Sequence, residues 1–272
     1  MAVKMRQIMD VIEEMAPIDT AEDWDNVGLL LGRRDAPVSK VLIALDALDA
    51  VVDEAVAIGA QAIITHHPAI FRPIDRITDE SPLGRRLLRL AESGICLYCA
   101  HTNLDAADGG VNDMLFDIFG LLNKELICET KSGVFLGRAG NLPASTSLSD
   151  FAVTVKNTLG LETAAYCGNG NAAVSKVGII GGGSANTDFF AAVLKAGCDT
   201  FITSDIKLSS AQAALDMGLN LVDATHYGGE VVFAKKLAEY LRGRLNGVEF
   251  AVSKVNGQPF KIADNGGKFN VT

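Results

Sequence analysis

The chain contains four histidines, and each stands beside carboxylates or at the end of an apolar run. Two are adjacent in Ile64-Thr-His66-His67-Pro68, one opens His101-Thr-Asn-Leu-Asp105, and one lies in Asp223-Ala-Thr-His226-Tyr-Gly-Gly-Glu230. Imidazole nitrogen and carboxylate oxygen together suit Zn, Fe, Mn, Co or Ni. The five or six such donors in these segments exceed the needs of one structural zinc site. A pair of ions about 3.5–4 Å apart, bridged by a carboxylate, uses a surplus of this kind and is common in hydrolases. A lone histidine at a strand end is more often a hydrogen-bonded loop residue, but four of four beside carboxylates point to ligands. His226 and Glu230 are four apart, so a helix starting there stacks both on one face. Gly228 and Gly229 weaken such a helix and leave backbone free to approach a ligand. Adjacent His66 and His67 point to opposite sides if extended, so the turn at Pro68 has to redirect one of them.

Such a site needs elements that bring three distant segments together. Lys4 to Met15 places Met5, Ile8, Met9, Ile12 and Met15 at helical spacing. Strands at 41–45, 61–65 and 95–100 alternate with helices at 49–58 and 83–93, and a second series runs from Gly133-Val-Phe-Leu-Gly137 through helix 148–159, strand 176–180, helix 185–196 and strand 200–203. A last series supplies helix 208–217, strand 220–223, helix 229–241 and strand 248–252, with a loose Gly- and Asn-rich tail after Asn256. Continuous apolar strands alternating with helices predict layered α/β units with largely parallel sheets covered on both faces. Ligands gather outside the carboxyl ends of such strands, where the histidines stand.

The composition excludes several classes. A charge of −9 and no basic run argue against a nucleic-acid-binding face. Apolar runs are strand-sized, short of the roughly 20 residues of a membrane helix. The N-terminus lacks the apolar core of a signal peptide, and five sparse cysteines predict reduced thiols and a cytoplasmic address. Cys96-Leu-Tyr-Cys99 lacks a partner pair for zinc and reads better as a buried strand.

Several residues carry two readings. Asp46 either orients a histidine through its ring N–H or caps the following helix. Asp25 and Asn26 either line the cavity or belong to a polar turn around a buried Trp24. Gly181-Gly-Gly-Ser184 is either a phosphate seat or a helix start capped by Ser184. His101 is the leading general base, with a sixth ligand and a loop-shaping residue as alternatives.

Together Glu22-Asp-Trp-Asp-Asn-Val-Gly-Leu-Leu-Leu-Gly32, Ile63-Ile-Thr-His-His-Pro68, His101-Thr-Asn-Leu-Asp105 and His226-Tyr-Gly-Gly-Glu230 resemble the Nif-three-like family. Its members go by the name GTP cyclohydrolase I type 2 homologues. Weaker echoes are Gly137-Arg138, Ile180-Gly-Gly-Gly-Ser184 and Ile202-Thr-Ser-Asp-Ile-Lys207, while Thr225, the glycine pair and Ser204 depart from the commoner pattern. The resemblance implies two divalent ions held by His66, His67, Asp105, His226 and Glu230. It also implies two interlinked α/β domains, residues 1–127 with 223–272 and an inserted 128–222, assembled as a homohexamer around an inner cavity. The expected activity is metal-dependent hydrolysis of a nucleotide-like or phosphate-bearing small molecule, with GTP ring opening as the specific form; the competing class is a non-catalytic metal-binding, metal-delivery or scaffold protein.

Overall fold

The computed structural model describes residues 2–262. The chain opens with β1 (Val3–Lys4), α1 (Met5–Met15), β2 (Gly28–Leu31) and β3 (Pro37–Val38). There follow β4 (Lys40–Ala44), α2 (Asp49–Ala57), β5 (Ala62–Thr65), α3 (Pro82–Glu92), β6 (Cys96–Cys99), α4 (Thr102–Ala106) and α5 (Val111–Ile118). Strands β4, β5 and β6 pair in parallel, β13 (Glu249–Val252) joins β4 in parallel, and β2 closes the other edge antiparallel to β6. Every residue of β5 and β6 is buried, as expected for parallel strands covered on both faces. Ser81 caps α3 by accepting from Gly84 N, and Pro82 sits at the first turn, where a missing N–H costs nothing.

The second sheet starts with the hairpin β7 (Leu122–Lys131) and β8 (Val134–Ser147), followed by α6 (Leu148–Leu159), β9 (Tyr166–Cys167), β10 (Ala173–Ile179) and α7 (Thr187–Lys195). It continues with β11 (Thr200–Thr203), α8 (Leu208–Asp216) and β12 (Asn220–Asp223), before α9 (His226–Glu230) and α10 (Val232–Arg242) return to the first sheet. Its order is β7-β8-β10-β11-β12-β9, with β10, β11 and β12 parallel. The fold is layered α/β, with parallel centres and antiparallel strands at every edge except β13.

Three expectations change. Leu122–Lys131 is a ten-residue strand, and β7 and β8 form a long antiparallel hairpin rather than the start of a parallel unit. Helix α7 begins at Thr187 because Asn186, not Ser184, is its cap, accepting from the N–H groups of Asp188 and Phe189. The single helix expected at 229–241 is two, with His226 to Glu230 forming their own short turn. The tail expectation is only partly covered, because 263–272 lie outside the described residues.

One apolar core runs between the sheets. It joins Met5, Ile8 and Ile12 of α1, Val41, Ile43, Ile64 and Tyr98 of the first sheet, Leu237 and Leu241 of α10, and Phe151, Val177 and Ile179 of the second unit. Further cores lie on the outer faces, under α2 and α3 and under α7 and α8. Among the described residues no helix is long and apolar enough to cross a membrane.

Candidate metal centre

The carboxyl ends of the two parallel sets meet. Beyond β4 stands Asp46, beyond β5 His66 and His67, beyond β6 His101; beyond β11 stands Asp205 and beyond β12 His226. All six candidate residues converge. His67 Nε2 lies 2.8 Å from Glu230 Oε2, and His226 Nε2 lies 3.1 Å from the same oxygen, using the i,i+4 stacking of α9. Glu230 Oε1 faces the other way, 3.8 Å from His66 Nε2, which in turn lies 3.4 Å from Asp105 Oδ1. Two triads of donor atoms, His66–His67–His101 and His67–His226–Glu230, each fit within 4.8 Å. Asp105 stands outside both triads and approaches the cluster through His66.

Every histidine is held by its Nδ1. His66 donates to Ala100 O at 2.9 Å, His67 to Asp46 Oδ1 at 2.8 Å, His101 to Asp25 Oδ1 at 2.9 Å and His226 to Asp205 Oδ2 at 2.7 Å. A carbonyl or carboxylate oxygen only accepts, so each Nδ1 carries hydrogen and each Nε2 is turned towards the cluster. This settles Asp46, which orients His67 and does not cap α2; the capping position is Leu48. Asp25 also accepts from the backbone N–H and hydroxyl of Thr102. Trp24 is 55% exposed, which removes the reading of a polar turn around a buried tryptophan.

The electrostatics are those of a seat for positive charge. Burial alone would push the Glu230 carboxyl up, but hydrogen bonds from His226 and His67 and the nearby charge of His66 hold it well below the usual carboxylate range. Burial would lower the pKa of His66, and Asp105 and Glu230 overcome it and raise it well above the ordinary imidazole value. His67 is raised against its burial by hydrogen bonds to Asp46 and Glu230. The carboxyl of Asp25, despite burial, is lowered to about 2 by the hydrogen bond and charge of His101 and by Thr102.

Two buried atoms in this cluster, His66 Nε2 and Asp105 Oδ1, have no hydrogen-bond partner. An unpartnered buried polar atom costs about 1–3 kcal/mol, more for a charged group, and two facing each other on ligand-type side chains could be satisfied together by a cation. The donor set fits a divalent transition metal.

The Gly181–Gly183 loop after β10 is packed against carboxylates, which argues against the phosphate seat. A side chain on Gly182, whose φ is +71°, would overlap Glu230 Oε1, and one on Gly183 would meet Asp205 Oδ2 at 2.7 Å. The glycine pair of α9 likewise faces protein: a side chain on Gly228 would collide with Leu161, and Gly229 lies beside Gly181 and Gly182. Asp205 and Thr225, at φ 54° each, sit in a left-handed region that non-glycine residues rarely occupy, and such strain concentrates at functional sites. Asp205 and Asn112 are the residues sequence reasoning did not place here. Asp205 carried the same signal as the histidines, a polar residue just past a strand. Asn112 accepts from Gly181 N at 2.8 Å and donates to Asp105 O at 3.1 Å, a link with no sequence signature. Behind it buried Arg138 pairs with Asp113 and donates to the carbonyls of Ala106 and Ala107. Cys96 and Cys99 are buried in β6, and Cys99 donates its thiol to His66 O.

A cavity of about 830 Å³ adjoins the cluster, reaching from Asp46, His67 and His226 past Asp205 and Lys207 to the segment 256–262.

Residues 3–259 match the model of the Duf34/NIF3 (NGG1p interacting factor 3) family. A Clostridium perfringens protein named "GTP cyclohydrolase 1 type 2 homolog" is 36% identical over 264 residues, covering 96% of this chain and all of that one. A Lactococcus lactis protein of the same name is 32% identical, covering 95% of this chain and 99% of its own length. A solved Staphylococcus aureus hypothetical protein superposes with a TM-score of 0.88 at 28% identity, over 97% of this chain and 100% of that chain. The Bacillus cereus protein related to NIF3 shares the fold, with a TM-score of 0.90 at 24% identity over 97% and 100% of the two chains. The chain belongs to the Duf34/NIF3 family.

Proposed function

We propose that the chain is a metal-dependent hydrolase holding two divalent ions, of Zn, Fe, Mn, Co or Ni, on His66, His67, Asp105, His226 and Glu230. The observation that carries this reading is the pair of buried, unpartnered atoms His66 Nε2 and Asp105 Oδ1 beside a carboxylate, Glu230, whose two oxygens face different histidines. A bridging carboxylate of that kind suits a two-metal centre. When bound, such ions lower the pKa of a coordinated water and polarise the electrophile.

The chain's own residues supply orientation and proton handling. His101 is the general base: Asp25, held ionised at about 2, fixes the ring through Nδ1 and leaves Nε2 to take a proton beside the cluster. Asp46 and Asp205 lock the rings of His67 and His226. The adjoining cavity of about 830 Å³ has room for a nucleotide-sized molecule, and its two lysines, Lys207 and Lys261, form no ion pair among the described residues, which suits a phosphate-bearing substrate. The relatives' printed name suggests GTP ring opening as the specific reaction. In this reading residues 1–127 with 223–272 form the metal-site domain, 128–222 form the inserted one, and the chain assembles as a homohexamer; the two separate sheets support a two-part division, with β7 (Leu122–Lys131) belonging wholly to the second sheet and so crossing the 127/128 boundary.

The test is a turnover screen with nucleotides and phosphoesters in each of the five metals, run beside Glu230→Gln and His101→Gln. Hydrolysis that needs metal and disappears in both variants supports the reading. Bound metal with no turnover on any substrate class leaves a metal-handling or scaffold protein instead.

A further inference from the structure

On the His101 side the centre is flanked by two exposed aromatic rings. Trp24, the chain's only tryptophan, is 55% exposed and Phe71 is 42% exposed, with ring centroids 5.8 Å apart and planes at 52°. The indole meets the His101 ring edge-on at 6.1 Å, and His101 lies 5.1 Å from His66 and 5.5 Å from His67, centroid to centroid. A ring resting on the indole is therefore one imidazole away from the metal-type donors.

The indole is exposed although its loop is firmly held. On one side Asp25 takes hydrogen bonds from His101 and Thr102, and Glu22 N donates to Thr102 Oγ1 at 2.9 Å. On the other, Asn26 Nδ2 donates to Ile70 O, which ties the Trp24 loop to the segment carrying Phe71. Lys131 closes on Asp23 at 2.6 Å. A loop fixed this well could have buried its largest apolar side chain. It presents that side chain to solvent beside the cluster instead, and the Arg72 guanidinium sits 5.5 Å from the Phe71 ring centroid.

We infer that Trp24 and Phe71 form a stacking platform for a flat heteroaromatic ring on the small molecule that the His67–Glu230 centre acts on. Two tilted aromatic faces favour a third ring, offset-stacked on one and edge-on to the other. Arg72 can meet a carbonyl or anionic group on the ligand's rim. The net charge of −9 and the absence of a basic run disfavour a nucleic-acid strand as the source of that ring. The inference rests on the proposed function only in taking the histidine–carboxylate cluster as the reacting centre.

The single tryptophan makes the test direct, because intrinsic indole fluorescence has one source. Purine and pyrimidine nucleosides, ribose 5-phosphate and inorganic phosphate are titrated into metal-loaded wild type, metal-free wild type and Glu230→Gln. Saturable quenching by a nucleoside, absent with the two ring-free probes and retained in Glu230→Gln, is expected. Calorimetry with the same nucleoside should show Trp24→Phe within a few-fold of wild type and Trp24→Ala weaker by about tenfold or more, both with unchanged metal content and unchanged mass by light scattering. Three results would overturn the platform: no quenching by any nucleoside, equal nucleoside affinity in Trp24→Ala, or a changed assembly mass in Trp24→Ala, which would make the surface a contact between copies of the chain. Ring binding without metal binding would leave the platform standing and remove the hydrolase reading; metal-dependent turnover without quenching would do the reverse.

Discussion

The imidazole of His67 and the carboxylate of Glu230, 163 residues apart in the chain, meet at 2.8 Å. His67 stands at the carboxyl end of β5 in the first sheet, whereas Glu230 ends the short helix α9 reached only after the second sheet is complete. The centre therefore exists only when both sheets are folded and docked through their common core, and changes well away from the ligand-type atoms should be felt there.

Gly182→Ala should be more damaging than its size implies. The added methyl would overlap Glu230 Oε1, and the residue's φ of +71° strains any side chain. Metal content should fall and stability drop by about 1–3 kcal/mol. Gly59→Ala is the control: at φ +69° it carries the same backbone strain, but nothing lies within 4 Å of the new methyl. It should cost about 1 kcal/mol and leave metal binding intact. Denaturant melts and metal analysis of the pair check this.

Asp46→Asn and Asp205→Asn should each weaken metal binding by about 10–100-fold while the fold persists. Each removes the carboxylate that holds one histidine's Nδ1. Competition with a coloured chelator, with circular dichroism as the fold control, gives the comparison. An unchanged affinity in both variants would show that the ring orientations are set elsewhere.

Metal affinity should rise with pH up to about 9. In the metal-free protein the hydrogen bond to Glu230 is the main influence on His226, burial opposes it and Asp205 adds to it, and the pKa is raised from 6.5 to about 9. An incoming cation has to displace that proton, so affinity should fall about tenfold per pH unit below that value for each proton displaced. The linked stability of the metal-free fold runs the other way. With a folded pKa above the unfolded one, this contribution is complete below about pH 6.5 and is lost as pH rises through about 9. Calorimetric titrations in buffers of different ionisation enthalpy should show proton release at pH 7; their absence, with flat affinity from pH 6 to 9, would count against His226 as a ligand.

Arg138→Met should destabilise the chain by about 3–5 kcal/mol, because it leaves the Asp113 carboxylate in a buried place without its partner. Lys124, 2.8 Å from Asp113 on its open side, should offset part of that cost. Urea unfolding of the single variant and of Arg138→Met with Asp113→Leu separates the two contributions, and the double variant should recover part of the loss.

Much of the side-chain cluster was legible in the sequence because its histidines and carboxylates belong to short motifs at strand ends. The helix Leu148–Leu159 and the strands Thr200–Thr203 and Asn220–Asp223 were also readable to the residue, since apolar periodicity and a capping Ser147 mark them. The strand Leu122–Lys131 was not: most of its side chains are exposed and polar, so neither face shows an apolar alternation. The split between α9 and α10 was hidden because apolar spacing continues through Val231. Asp205 and Asn112 were missed for a different reason. Their roles are defined by what they touch across the sheets, and pairings at that sequence separation leave no local pattern.

The most direct test of the account is elemental analysis of the purified protein after reconstitution with Zn, Fe, Mn, Co and Ni in turn, beside Glu230→Gln. Glu230 faces His66 with one oxygen and His67 and His226 with the other, so removing its charge should weaken both halves of the centre together. The account predicts two ions per chain in the wild type with at least one of these metals, and fewer than one in Glu230→Gln with an unchanged circular dichroism spectrum. A wild-type protein that takes up none of the five, or a Glu230→Gln variant that still carries two, would contradict it.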